Sequence, residues 1–143
     1  MTQLRALYQQ TDALLFPSLG EGWGLPLIES IACALPAVCT DYGGQSEYLS
    51  EVRQCYTPIQ YNLSPVRFAP EEADLESKVD PRALWAYPRI NELAAAMSSV
   101  VCESTSLRSG RALEAAEHVR RNFSWTIAAD KLMKLIDQMK RQR

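Results

Sequence analysis

Apolar residues fall in short unbroken bursts along the first part of the chain and at helical intervals along its last third. Residues 2–10 carry Leu4, Leu7 and Tyr8 at helical spacing, which predicts a short amphipathic helix ended by Thr11-Asp12. Ala13-Leu14-Leu15-Phe16 has no polar position, so it predicts a strand buried on both faces, as in a parallel sheet, with Pro17 stopping it. Ser18–Glu29 reads Ser-Leu-Gly-Glu-Gly-Trp-Gly-Leu-Pro-Leu-Ile-Glu, a glycine loop that runs into a helix expected from about Leu25 to Ala34. Pro26 suits the first turn of that helix, where its missing N–H costs nothing. Leu35-Pro36 closes the helix, and Ala37-Val38-Cys39-Thr40 is the next apolar burst and the next strand. Asp41-Tyr42-Gly43-Gly44 is a second turn, Gln45–Ser50 a short helix, and Cys55–Ile59 a further short strand. Alternating strands and helices predict an α/β fold with a doubly wound parallel sheet flanked by helices.

The pattern then changes. Residues 60–88 have Pro58, Pro65, Pro70, Pro81 and Pro88 in or beside them and an acidic patch of Glu71, Glu72, Asp74 and Glu76. They are expected to form an irregular insertion with one helical turn, solvated on the surface. From Arg89 the chain turns helical. Leu93, Met97, Val100 and Val101 make one apolar stripe, and Leu107–Arg121 is a second helix expected to bury Leu113, Ala116 and Val119. Ser124 can cap a last helix, with Phe123 packing back on Ala128 as a hydrophobic staple. That helix carries Ala128, Leu132, Leu135, Ile136 and Met139 on one side and Lys131, Lys134, Lys140, Arg141 and Arg143 elsewhere. A membrane-surface helix has this pattern. A solvated basic face is the simpler reading, since Lys and Arg complement a helix C-terminus.

Composition narrows the class without naming a function. At 143 residues the chain suits one domain with a real core. Hydrophobic content of 47% and charged content of 22% are those of an ordinary globular protein, and a net charge of −2 gives no help to a nucleic-acid partner. No apolar run has the length of a membrane span, and no signal-peptide core follows Met1. Cysteines at 33, 39, 55 and 102 form no Cys-x-x-Cys pair, and His118, the one histidine, has none near it. Zinc is therefore not expected, Cys33 and Cys39 read as core residues, and the expected compartment is cytoplasmic.

The chemistry gathers in the glycine loop. Gly20, Gly22 and Gly24 alternate, letting backbone N–H groups approach a ligand where no Cβ stands in the way. The helix from Leu25 brings its free N–H groups and positive dipole end to the same place, which suits a phosphate or diphosphate. The spacing is neither Gly-x-Gly-x-x-Gly nor a P-loop, since no Lys-Ser or Lys-Thr follows. Glu21 and Glu29 bracket the loop with seven residues between them. Carboxylates accept from adjacent hydroxyls, so the loop fits a ligand with sugar, diphosphate and ribose in series. Each feature alone has a plainer account: Glu29 in an early helix dipole, Glu21 as an exposed loop acid, the glycines as a tight turn. Their coincidence favours the nucleotide-sugar. His118 lies far from the loop in sequence and is expected to be structural.

Pro17–Glu29 resembles the E-x7-E signature of retaining GT-B glycosyltransferases, the group 1 and glycogen-synthase-like enzymes. Ser30–Val38 is similar to the helix and strand that follow in that family, with Ala34 where glycine is usual. Asp41–Glu47 resembles the family's next turn, and Phe123-Ser124-Trp125 its late helix start. The resemblance is close over residues 4–50 and loose over 89–143. It implies that the whole chain, 1–143, is a single GT-B C-terminal, donor-binding domain, a partial Rossmann-like unit that is N-terminally incomplete and carries 60–88 as an insertion. It implies that Glu29 binds the nucleotide ribose, that Glu21 contacts the donor hexose as the catalytic carboxylate, and that the amides around Gly22, Trp23, Gly24 and Leu25 hold sugar and diphosphate. Gly43 and Gly44 are candidates for a second ligand-facing loop. Transfer in such enzymes retains anomeric configuration and uses no metal, the leaving diphosphate helping to deprotonate the acceptor. The lack of any Asp-x-Asp agrees with that.

The same resemblance implies missing parts: the acceptor domain, the early strands of the donor domain and the basic pair that neutralises the diphosphate. The chain is then expected to bind a nucleotide-diphosphate sugar weakly, to be inactive alone, and to need an acceptor-domain partner chain or self-association to cover an exposed strand edge. The alternatives are a nucleotide-sugar-binding module without transferase activity and an interaction module held by a partner.

Overall fold

A computed structural model describes residues 2–76, 78–103 and 105–141. The elements run α1 (Thr2–Gln9), β1 (Leu14–Phe16), α2 (Leu25–Ala32), β2 (Ala37–Thr40), α3 (Ser46–Leu49), a 3-10 turn (Arg53–Cys55) and β3 (Tyr56–Ile59). There follow β4 (Tyr61–Pro65), a turn at Pro70–Glu72 into α4 (Ala73–Glu76), β5 (Leu84–Pro88), α5 (Ile90–Cys102), α6 (Thr105–Asn122) and α7 (Trp125–Arg141). The architecture is the expected mixed α/β one, a parallel sheet with flanking helices and a helical C-terminal third.

Strands β1, β2 and β3 lie in that order and are all parallel, with Phe16 opposite Cys39 and Cys39 opposite Pro58. The middle strand is buried at every position. Alternate side chains leave it on opposite faces. Ala37 and Cys39 join Leu27 and Ile31 of α2 and Ala115 and Val119 of α6, while Val38 joins Ala96 and Val100 of α5. The sheet is thus covered on both sides where β2 runs.

Coverage fails at the edge. The expectation of a first strand buried on both faces is not met: Leu14 and Phe16 are half-buried against the α2 side, and Leu15 is 42% exposed. Helix α5, which covers the other face, reaches β2 and β3. The helical stripes are also rotated from their expected phases. In α5 the buried residues are Ala96 and Val100, with Met97 and Val101 outside. In α6 they are Ala112, Ala115, Ala116 and Val119, with Leu113 outside. Small residues let α6 approach α2 closely, so alanines win the interface over the larger leucine. Leu107 and Glu76 have side chains outside the described residues, as has Arg143 as a whole. Cys39 is buried as expected, whereas Cys33 is only half-buried.

The insertion at 60–88 is more ordered than an irregular loop. Its ends pair as an antiparallel ladder, β4 with β5, Tyr61 opposite Pro88 and Pro65 opposite Leu84. Pro65 and Pro88 occupy ends of this two-stranded ladder, where a missing N–H does little harm. The anticipated helical turn is present as α4. Ser124 caps α7 as expected, its Oγ accepting from the Ile127 amide at 3.3 Å. Ala34, where glycine was noted as usual, has φ 59, in the left-handed region just past α2. Among the described residues no helix is long and apolar enough to cross a membrane.

Candidate functional site

Because β1 and β2 are parallel neighbours, the loops that leave their C-terminal ends emerge side by side. They meet backbone to backbone. The Gly44 amide donates to the Glu21 carbonyl at 2.9 Å. A Cβ at Gly43 would stand 2.7 Å from the Glu21 carbonyl oxygen, and one at Gly44 would overlap the carbonyl of Gly22. The second glycine pair therefore lies against the first loop, where only a bare Cα fits.

Gly24 ends the loop in the left-handed region, φ 70, and is the N-cap of α2 without any side-chain cap. Its carbonyl accepts from the amides of Leu27 and Ile28 and from the Tyr48 hydroxyl at 3.1 Å. Burial, then the neighbouring Cys39 and Glu21, push the Tyr48 phenol upward, so it stays a protonated donor. Gln45, fully buried, sends Nε2 to the Thr40 carbonyl and, at 3.4 Å, to Ser18 Oγ. Its Oε1 and the Thr40 Oγ1 are buried without a hydrogen-bond partner among the described residues. With the loop pinned at Ser18, Glu21 and Gly24, the amides of Gly22, Trp23, Gly24 and Leu25 carry no protein hydrogen bond among the described residues. A row of free N–H groups at a helix N-terminus is chemically an anion site.

Beside this row is a cavity of about 900 Å³ between α2 and the α6–α7 junction. It brings together Trp23, Leu25 and Glu29 with Glu47 of α3, Arg120 and Lys131. Glu21 is not among its walls; it sits at the junction of the two loops, half-buried. The Tyr8 hydroxyl donates to the Pro26 carbonyl at 3.2 Å. Its pKa is raised, first by burial and next by the negative charge of Glu29, which places that carboxylate near α1. The cavity thus offers carboxylates for hydroxyls, cations for phosphates and indole rings for a flat ring. Sequence reasoning passed over Glu47, Arg120 and Lys131 as wall residues. Glu47 had a usable signal, an acid in the first turn of a helix just after two glycines. Arg120 and Lys131 had none, being brought in by the packing of distant helices. His118 lies outside the cavity and ties α6 to the turn after α3, its Nε2 2.7 Å from Glu51 Oε2.

The insertion also reaches the loops. The Ala86 amide donates to the Leu19 carbonyl at 2.8 Å, and the Tyr42 hydroxyl to the Leu84 carbonyl at 3.0 Å. Tyr61 donates to the Asp41 carbonyl at 3.3 Å. The β4–β5 arm is therefore a third wall of the loop region, fastened to both glycine turns. Among the described residues no group of three His, Cys, Asp or Glu could hold a metal ion.

Residues 1–55 match the family model described as Glycosyl transferases group 1. A protein described as D-inositol 3-phosphate glycosyltransferase, from Corynebacterium efficiens, is 29% identical over 136 residues, 95% of this chain and 25% of that protein. One of the same description from Paenarthrobacter aurescens is 35% identical over 51 residues, 36% of this chain and 12% of that protein. The chain spans a quarter or less of the length of these relatives. No solved structure is a significant match.

Proposed function

We propose, for a chain whose residues 1–55 match the model of the group 1 glycosyl transferases, that it supplies the donor-binding part of a nucleotide-sugar-dependent, retaining and metal-independent glycosyl transfer. The observation that carries this reading is the row of free amides from Gly22 to Leu25 at the start of α2, opening beside a cavity that holds Glu29. In this reading the amides bind the diphosphate, Glu29 accepts from ribose hydroxyls, and Glu21 contacts the hexose and is the catalytic carboxylate. The whole chain is then part of one donor-binding domain, and its donor is a nucleotide-diphosphate sugar needing no further cofactor. The free cysteines suit a cytoplasmic setting.

Calorimetric or NMR titration of the chain with a panel of nucleotide-sugars tests the reading. Glu29→Ala is expected to abolish binding and Glu103→Ala, remote from the loop, to leave it intact. Equal behaviour of the two variants would remove the site. The chain alone is expected to be inactive, and steady transfer of labelled sugar by it would disprove that part. D-inositol 3-phosphate, which the relatives are named for, is the first acceptor to try.

A second reading, a binding or interaction module without transferase activity, draws on one observation. Leu4 and Leu7 of α1, Leu15 of β1 and Leu132, Leu135 and Met139 of α7 are all exposed. An acceptor-domain partner chain or self-association would cover such faces. Light scattering of the isolated chain separates self-association from the need for another chain.

A further inference from the structure

The β4–β5 arm positions one side chain at the glycine loop. Trp85 lies between two residues whose backbones are fastened to different turns: Leu84 to Tyr42 of the second, Ala86 to Leu19 of the first. Its indole edge is so close to the loop that a Cβ on Gly20 would be 3.3 Å from Trp85 Cδ1 and 3.6 Å from Nε1. Phe68 meets the ring edge-on at 5.7 Å, and the ring of Tyr87, two residues on in β5, lies 6.5 Å away. Backbone and ring are both held, so the indole is a prearranged group. Its N–H has no acceptor among the described residues. The residue after Gly20 is Glu21, a carboxylate at the same point of the loop.

We propose that Trp85 contacts the hexosyl part of the donor, its N–H donating to a sugar hydroxyl while Glu21 accepts from another. This rests on the donor-binding reading above and adds to it a residue from the insertion. A pyranose presents hydroxyl acceptors at its rim and C–H groups on its face, and an indole with a free N–H complements both. The nucleotide part falls elsewhere, in the cavity beyond Trp23 and Glu29, whose walls do not include Trp85. Trp85 therefore discriminates sugar-bearing from sugar-free ligands.

The chain has three tryptophans, so ¹⁵N labelling gives one indole signal for each, assigned with Trp→Phe variants at 23, 85 and 125. The probes are UDP, GDP, UDP-glucose and GDP-mannose, titrated into the full chain. The Trp85 indole signal is expected to move with a sugar-bearing ligand and to stay with the matching diphosphate. Trp85→Phe keeps a ring against Phe68 and removes the N–H; it is expected to weaken the sugar nucleotide about tenfold, the worth of one hydrogen bond, with nucleoside-diphosphate affinity unchanged. Equal weakening of both ligands would reduce Trp85 to a packing role. A still Trp85 signal while the Gly22–Leu25 amides shift would overturn this proposal and leave donor binding standing. No shift anywhere with any probe would overturn both.

Discussion

Helices α2 and α7 have the same kind of sequence and opposite fates. Each carries an apolar stripe at helical spacing, and the stripe of α7 is the longer. Yet α2 buries Leu27, Ile28, Ser30 and Ile31, while α7 buries none of its residues. Trp125 at its start is 83% exposed, and Leu132, Leu135 and Met139 are all more than half exposed. The difference lies in connection. Helix α2 is the crossover between two paired parallel strands, so its stripe is delivered onto the sheet by topology. Helix α7 is entered from α6 rather than from a strand, with a side-chain cap at Ser124 to start it, so no paired strands direct its stripe onto the sheet among the described residues. An amphipathic pattern states that a face needs covering; it does not supply the cover.

The largest test of this contrast is Leu27→Ala, expected to cost about 2–5 kcal/mol as a buried leucine truncation. Denaturant unfolding of that variant beside Leu132→Ala reads the comparison directly. Next comes pH. Burial pushes the Cys55 thiol up to about 12 from 9.0. Above 9.0 the unfolded thiol loses its proton while the folded one keeps it, so the unfolded state binds fewer protons and stability falls as pH rises toward 12. Cys55→Ala should flatten that alkaline slope in thermal melts, and an unchanged slope would assign it to other groups. Gly44→Ala drives a methyl into the Gly22 carbonyl and is expected to cost roughly 1–3 kcal/mol, as overpacking does. Gly22→Ala meets nothing within 4 Å and should melt like the parent; equal losses would mean that the loops do not touch.

Smaller still, Ala34→Gly relieves a left-handed alanine and should raise stability by about 1 kcal/mol. A loss would show that the chain end of α2 is shaped otherwise. At the bottom of the scale, Leu132→Ala should change stability by less than about 0.5 kcal/mol, as surface changes do. A cost like that of Leu27→Ala would mean that α7 is covered in solution.

Much of the sheet was legible residue by residue. Ala37–Thr40 is a strand where the apolar burst puts it, because an unbroken run of that length, closed by Leu35-Pro36 before and glycines after, has one good solution. Pro26 and the Ser124 cap were legible because they act locally. The β4–β5 arm was hidden because its prolines and charges resemble a loop, and its order comes from a ladder between distant residues, from Pro65 with Leu84 out to Tyr61 with Pro88. The exposed Leu113 was misplaced for a related reason: periodicity counts alanine as weak, whereas close helix packing selects it.

For the candidate site the division is sharper. The sequence alone determined that Gly20–Gly24 leads from a strand into a helix, that two carboxylates bracket it, and that free amides gather at its end, since these follow from spacing along one stretch of backbone. Only the tertiary structure decided that Glu29 shares a cavity with Arg120 and Lys131, that Gly44 lies on Gly22, and that Trp85 stands at Gly20. Those are contacts between segments distant in the chain, fixed by sheet register and helix packing, for which no local pattern carries a signal.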